Sequence, residues 1–241
     1  MMLLLLILFT FFASIFATAI GFGSAVILIP LFSLILPVKK AIAILSIYFI
    51  FVTLMRAVIF LQYINFRIVI LISIGAIPAV FLGLNIMLEI DANSVKVLLA
   101  CVIIVYLVND YFKFDDKLGT ISHKWTIFIG SVYGFFNGII GIGNPIIAAF
   151  LMHIGLRKRD FIANMATCSI MLDIIKSVVL TKHSLVTGSD IPLFASVISV
   201  GVIGTWLGKF FVDKLDHHHF KQIVRGMLFV ISINLLWQAV A

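Results

Sequence analysis

The 241-residue chain is 63% hydrophobic and only 11% charged, with a mean hydropathy of +1.26 and a formal net charge of +7. Soluble domains are about half apolar and a quarter charged, and a single core of this size cannot hide so much apolar surface. A water-soluble globule is excluded, and lipid is the solvent for most of the chain. The positive charge does not point to nucleic acid. Lys and Arg cluster in short loops between apolar segments, which is how membrane proteins set their orientation.

Residues 1–36 carry no charge. A cleaved signal peptide is a poor reading of them, because there is no basic leading region, the apolar run is too long and a second copy of it occurs mid-chain. As one helix they would measure about 54 Å at 1.5 Å per residue, too long for a single crossing of a ~30 Å hydrocarbon layer. Gly21-Phe22-Gly23 interrupts the run. A glycine pair favours positive φ and exposes backbone, so a broken helix is predicted, with Ser24 as a cap for the piece that follows. Stretches 41–61, 67–88 and 94–112 each have a length suited to one crossing.

The pattern then repeats. A shift of 120 positions lays Gly21, Gly23, Leu36, Ala43 and Arg56 on Gly141, Gly143, Leu156, Ala163 and Lys176. After about five extra residues (read directly off the register), Gly83, Asp91, Lys96 and Asn109 fall on Gly208, Asp216, Lys221 and Asn234. Chance matches apolar positions in such a chain, but not rare polar and glycine positions in one order. Two homologous halves are therefore read, 1–112 and 125–241, joined by a polar linker at 113–124. The second half again opens on a long stretch, 125–156, broken at Gly141-Ile142-Gly143, where Asn144 and Pro145 read as N-cap and first turn. Stretches 160–180, 190–211 and 219–239 follow. The fold class is an all-α polytopic membrane protein, each half a Gly-broken first segment plus three transmembrane helices.

Polar groups inside such segments are costly and need a partner or a task. Arg56 and Lys176 sit at matching places within theirs. Asp173, three residues before Lys176, can form a local ion pair with it, whereas Arg56 has no such neighbour. Arg225, a turn into its segment, reaches toward the headgroups. Helix starts after Gly23 and Gly143 would present free N–H groups and positive dipole ends, an arrangement suited to oxyanions. Broken helices at matching places in two halves are the sequence pointer to a transporter's binding site. Asn137, Asn164 and Thr167 are candidates for the same region, with helix–helix hydrogen bonding as the alternative.

These features bring a family into view. The glycine turn and proline of Gly21-Phe22-Gly23-Ser24…Pro30, the partner run from Gly138 through Gly141 and Gly143 to Asn144-Pro145, and the duplicated layout resemble the TauE/SafE family of membrane permeases over nearly the whole chain. Ala166-Thr167-Cys168 approximates that family's Gly-Thr-Ser-like patch, while Ser46-Ile47-Tyr48 departs from it. The resemblance implies export of a small sulfur-containing oxyanion, such as sulfite or an organosulfonate, across the cell (plasma or inner) membrane. The substrate-binding candidates are Gly21, Gly23, Ser24, Arg56, Gly141, Gly143, Asn144, Asn164, Thr167 and Lys176.

No cofactor or metal is expected: there is neither a zinc-protease His-Glu-x-x-His nor a phosphate-binding loop. His217-His218-His219 reads as a polar turn, and Cys101 and Cys168 read as buried apolar thiols. An intramembrane enzyme using Ser24, His123, His153, His183 or Asp173 is a weaker reading, since no serine has a convincing base beside it. A passive channel built from the same parts is the nearer rival. The expected partners are an anionic substrate and lipid, without nucleic acid; a homodimer is compatible with the sequence. Eight spans with parallel halves and ten with inverted halves both satisfy the charge rule, and segment length favours the inverted arrangement. Both termini would then lie outside, with Arg67, the 113–124 linker, Arg157-Lys158-Arg159 and the 209–221 loop on the cytoplasmic side.

Overall fold

A computed structural model describes residues 2–20, 23–112, 125–156, 158–212 and 229–239. Among them all regular structure is helical. The helices are α1 (Met2–Ile20), α2 (Ser24–Ser33), α3 (Val38–Ile59), α4 (Phe66–Glu89), α5 (Ala92–Phe112), α6 (Thr126–Ile140), α7 (Asn144–His153), α8 (Lys158–Lys182), α9 (Ile191–Gly208) and α10 (Phe229–Ala239). Four helical stretches, Val38–Ile59, Phe66–Glu89, Arg159–Lys182 and Ile191–Phe211, are long and apolar enough to cross a membrane. The molecule's outside is itself apolar, with Phe12, Leu54, Leu82, Phe128 and Trp237 all exposed, as lipid requires and water would penalise. Cys168 is buried as expected, but Cys101 is exposed on α5, because that helix has an outer face as apolar as its inner one.

Both long first segments are broken where the glycines predicted. Gly23 precedes α2 at φ 107°, and Gly141 ends α6 at φ 73°. Gly143 is different: its φ is −120°, which any residue can adopt. What it requires is space, since an added Cβ would run into the carbonyl oxygen of Tyr133 and the Tyr133 ring. The caps also differ from the sequence expectation. Gly23 and Gly143 occupy the N-cap positions with no side-chain cap bond, so Ser24 and Asn144 are the first helical residues and do not cap. Glycine is an acceptable N-cap, and this leaves both polar side chains free to point elsewhere.

The helices interlock across the proposed halves. Gly75 and Gly83 of α4 abut Ile127 and Phe135 of α6, while Gly204 and Gly208 of α9 abut Phe11 and Ile15 of α1. Backbones approach this closely only where one side has no side chain, the packing rule of helices in lipid. In both pairs the numbering rises together, so each pair runs parallel. The contacts are also reciprocal. The register that carries Ile15 onto Phe135 and Gly83 onto Gly208 turns the α1–α9 contact into the α6–α4 contact.

Between these pairs lie α3 and α8. Tyr63 and Asn65, just past the end of α3, meet Arg159 and Asn164 near the start of α8. Lys40, near the start of α3, meets Asp190, beyond the end of α8. Contacts at both ends therefore show that α3 and α8 are antiparallel. The buried hydroxyls of Thr10, Ser14 and Thr18 on α1 each donate to the carbonyl four residues earlier, which removes their cost inside an apolar helix.

Candidate functional site

A small cavity lies where α3 and α8 meet the two helix breaks. The breaks contribute Ser24, Gly141 and Asn144; α3 contributes Thr53 and Arg56; α8 contributes Ser169 and Asp173; and α6 contributes Asn137. Its lining includes three pairs of positions related by the 120-residue sequence offset: Ser24 and Asn144, Thr53 and Asp173, and Phe49 and Ser169. In this conformation the cavity has room for about one water-sized sphere.

Arg56 dominates its electrostatics. The residue is 3% exposed, its Nη2 donates to Ser24 Oγ over a long 3.4 Å, and its Nε has no hydrogen-bond partner. A guanidinium offers five donors in a fixed fork, and here it is underused and desolvated, a state that strongly favours an arriving anion. The matched cation behaves otherwise. Lys176, 1% exposed, is held by Asp173 at 2.9 Å. The i, i+3 spacing on α8 makes that pairing local, whereas the position 120 residues before Asp173 holds Thr53, which cannot neutralise Arg56.

The other candidates divide sharply. Asn144 faces the cavity with its buried Oδ1 unpartnered, as does Asn137. The first turn of α2, with Ser24 and Ala25 on the cavity wall, brings N–H groups that precede the helical ladder, whose first bond runs from Ile27 N–H to the Gly23 carbonyl at 3.2 Å. Asn164 is elsewhere. It accepts from the Asn65 N–H at 2.9 Å and donates to the carbonyls of Tyr63 and Asp160, which ties the α3–α4 turn to α8. Thr167 donates to the Ala163 carbonyl on its own helix and is not on the wall. Gly21, Arg225 and the 217–219 histidines lie outside the described residues, as do the 113–124 linker and His123.

Thr53 and Ser169 are wall residues that sequence reading did not single out. The signal was present, since Thr53 is the counterpart of Asp173, but a lone hydroxyl in an apolar helix usually bonds to its own backbone. Both do so, Thr53 to the Phe49 carbonyl and Ser169 to that of Met165, and Ser169 also meets the Tyr133 hydroxyl at 3.1 Å. Among the enzyme candidates, Ser24 and Asp173 share the cavity, His153 closes α7 and His183 is exposed beyond α8.

Described residues that are all helical in their regular structure, with apolar helices long enough to span a bilayer around a buried cationic cavity, are the build of a membrane protein. The family model for the sulfite exporter TauE/SafE matches residues 6–235, nearly the whole chain. The chain belongs to the sulfite exporter TauE/SafE family, a family of membrane transporters. No curated protein and no solved structure matches it.

Proposed function

We propose that the protein is a secondary transporter that moves a small oxyanion, such as sulfite or an organosulfonate, outward across the cell membrane. The observation that carries this reading is Arg56: a buried guanidinium with an unpartnered Nε, on the wall of a cavity that also receives the first turn of α2. A charge kept inside an apolar bundle implies use, and the family match supplies the class of anion. The reading includes two inverted copies, 1–112 and 125–241, related about an axis near the cavity. Antiparallel α3 and α8 and the reciprocal α1–α9 and α6–α4 packing support it. Inversion lets the same site open alternately to either side by exchanging the conformations of the halves.

The test is flux of labelled sulfite into proteoliposomes holding the purified protein, with methanesulfonate, thiosulfate and sulfate compared. Saturable flux accelerated by unlabelled anion on the far side supports a transporter. Linear flux without counterflow would identify a passive pore, and no anion flux would reject the proposal.

A further inference from the structure

The charge of the cavity limits the charge of its guest. Among the described residues, three formally charged side chains bear on it: Arg56, Lys176 and Asp173. Asp173 and Lys176 form a closed pair at 2.9 Å, with side chains 5% and 1% exposed. Their sum is zero wherever the proton sits within the pair. The Tyr48 and Tyr133 hydroxyls engage Ser14 and Ser169 and add no charge. Among the described residues one positive charge is left, on Arg56, a wall residue whose Nε has no partner.

Resting on the anion-transport reading above, we infer that the site is built for monoanions, and that Asp173 is the residue that sets this limit. A sulfonate or hydrogensulfite brings one negative charge and closes the account at zero. A dianion such as sulfate or fully ionised sulfite leaves one buried negative charge unmatched in a low-dielectric interior, a cost no hydrogen bond from a neutral Ser or Asn offsets. Asp173 contributes through repulsion. It stands on the same wall as Arg56 and cancels the second cation that the sequence duplication placed in the bundle, and such repulsive elements are how sites reject a competitor of similar shape. The first copy, with Thr53 in the matching place, has no such element.

The experiment measures labelled sulfite flux in proteoliposomes at pH 6, with competition by methanesulfonate or by sulfate, whose charges are constant over the useful pH range. Three variants complete a charge cycle. In the wild type, methanesulfonate should compete at least about a hundredfold better than sulfate, the factor expected for leaving one buried charge unmatched. Asp173→Asn raises the cavity's charge by one and should narrow or reverse that ratio. Lys176→Gln removes the remaining charge and should depress competition by both anions. The double variant Asp173→Asn/Lys176→Gln restores a single positive charge, and with it the monoanion preference, a recovery that loss of packing cannot produce. If Asp173→Asn fails to assemble, the wild type and double variant still decide the matter through the sulfate ratio. Equal competition by sulfate and methanesulfonate in the wild type, or an unchanged ratio in a folded Asp173→Asn protein, overturns the monoanion assignment while leaving anion transport standing. Absence of sulfite flux in the wild type rejects the transport reading and this assignment together.

Discussion

The guanidinium of Arg56 crosses from α3 to Ser24 in the first turn of α2, with 3.4 Å between Nη2 and Oγ. That contact joins a buried cation to a helix start, and its length leaves the arginine free to turn toward a better acceptor. Arg56→Gln should lower anion flux by about tenfold or more, as expected for losing charged hydrogen bonds to a guest. Thermal stability should hold or rise, because an underused buried charge is removed. Arg56→Lys keeps the charge without the fork and should fall between. Flux and melting temperature measured on the same preparations check this; normal flux in Arg56→Gln would show that the charge is structural.

Gly23 and Gly143 are required at the two breaks for opposite reasons, so their variants should differ. At Gly23 an added Cβ meets nothing within 4 Å, but φ is 107°. Gly23→Ala should therefore cost about 1–2 kcal/mol of backbone strain, with Gly23→Asn the mildest replacement and Gly23→Leu without flux. At Gly143 the backbone tolerates any residue while Tyr133 occupies the space. Even Gly143→Ala should displace α7 from α6, lower the melting temperature and weaken anion binding, and Asn should give no relief. Equal tolerance of Asn at both positions would contradict this division.

Asn144 and Asn164 should separate binding from stability. Asn144 makes no cap bond, and it lines the cavity with its buried Oδ1 unpartnered. Asn144→Ala should leave melting nearly unchanged and weaken anion binding severalfold. Asn164 holds the Asn65 N–H and the Tyr63 carbonyl away from the cavity. Asn164→Ala should cost about 1–3 kcal/mol through groups left unsatisfied and leave the affinity of the folded fraction intact. Calorimetric binding beside thermal melts distinguishes the two.

Asp190, directly before the α9 span, supplies a pH signature. Its carboxylate pairs with Lys40 at 2.8 Å and accepts from Thr187, and the Lys40 contact holds its pKa below the ordinary carboxylate value. A lowered folded-state pKa means stability that is present above the unfolded value near 4 and lost as pH falls through the folded one. Asp190→Asn should cost about 1 kcal/mol at neutral pH, the upper end for an ion pair whose lysine is part-exposed. The difference from wild type should close as the medium is acidified below the folded-state value. Melts of both proteins from pH 7 downward test this, and a difference that persists in acid would show a packing effect instead.

Sidedness follows from the antiparallel pair. Arg159 donates to the Tyr63 hydroxyl at 3.2 Å, which places the end of α3 and the start of α8 at one end of the bundle. With the proposed inverted halves, the positive-inside rule predicts that end, and the 113–124 linker, on the cytoplasmic side. Single cysteines at Arg67 and in the linker should resist an impermeant thiol reagent in intact cells and react after permeabilisation. Cysteines near either terminus should react from outside; labelling of the linker from outside would reverse the orientation.

Read from residues alone, this chain was already a membrane-embedded helical bundle with two glycine-broken helices and with Arg56 and Lys176 buried in its apolar segments. Those properties are local or periodic. Apolar length, glycine pairs and repeated spacing act within one segment, and the Asp173–Lys176 pairing needs only the pitch of α8. Tertiary structure decided the rest. That α1 packs on α9 and α6 on α4, that Arg56 reaches Ser24, and that Asn144 faces the cavity while Asn164 ties a turn to α8, all depend on which helix faces touch. In a lipid-facing chain nearly every face is apolar, so the hydrophobic pattern that reveals a buried face in a water-soluble protein is muted here. Small residues and backbone carbonyls choose the neighbours instead, through steric fit between segments that lie far apart in sequence.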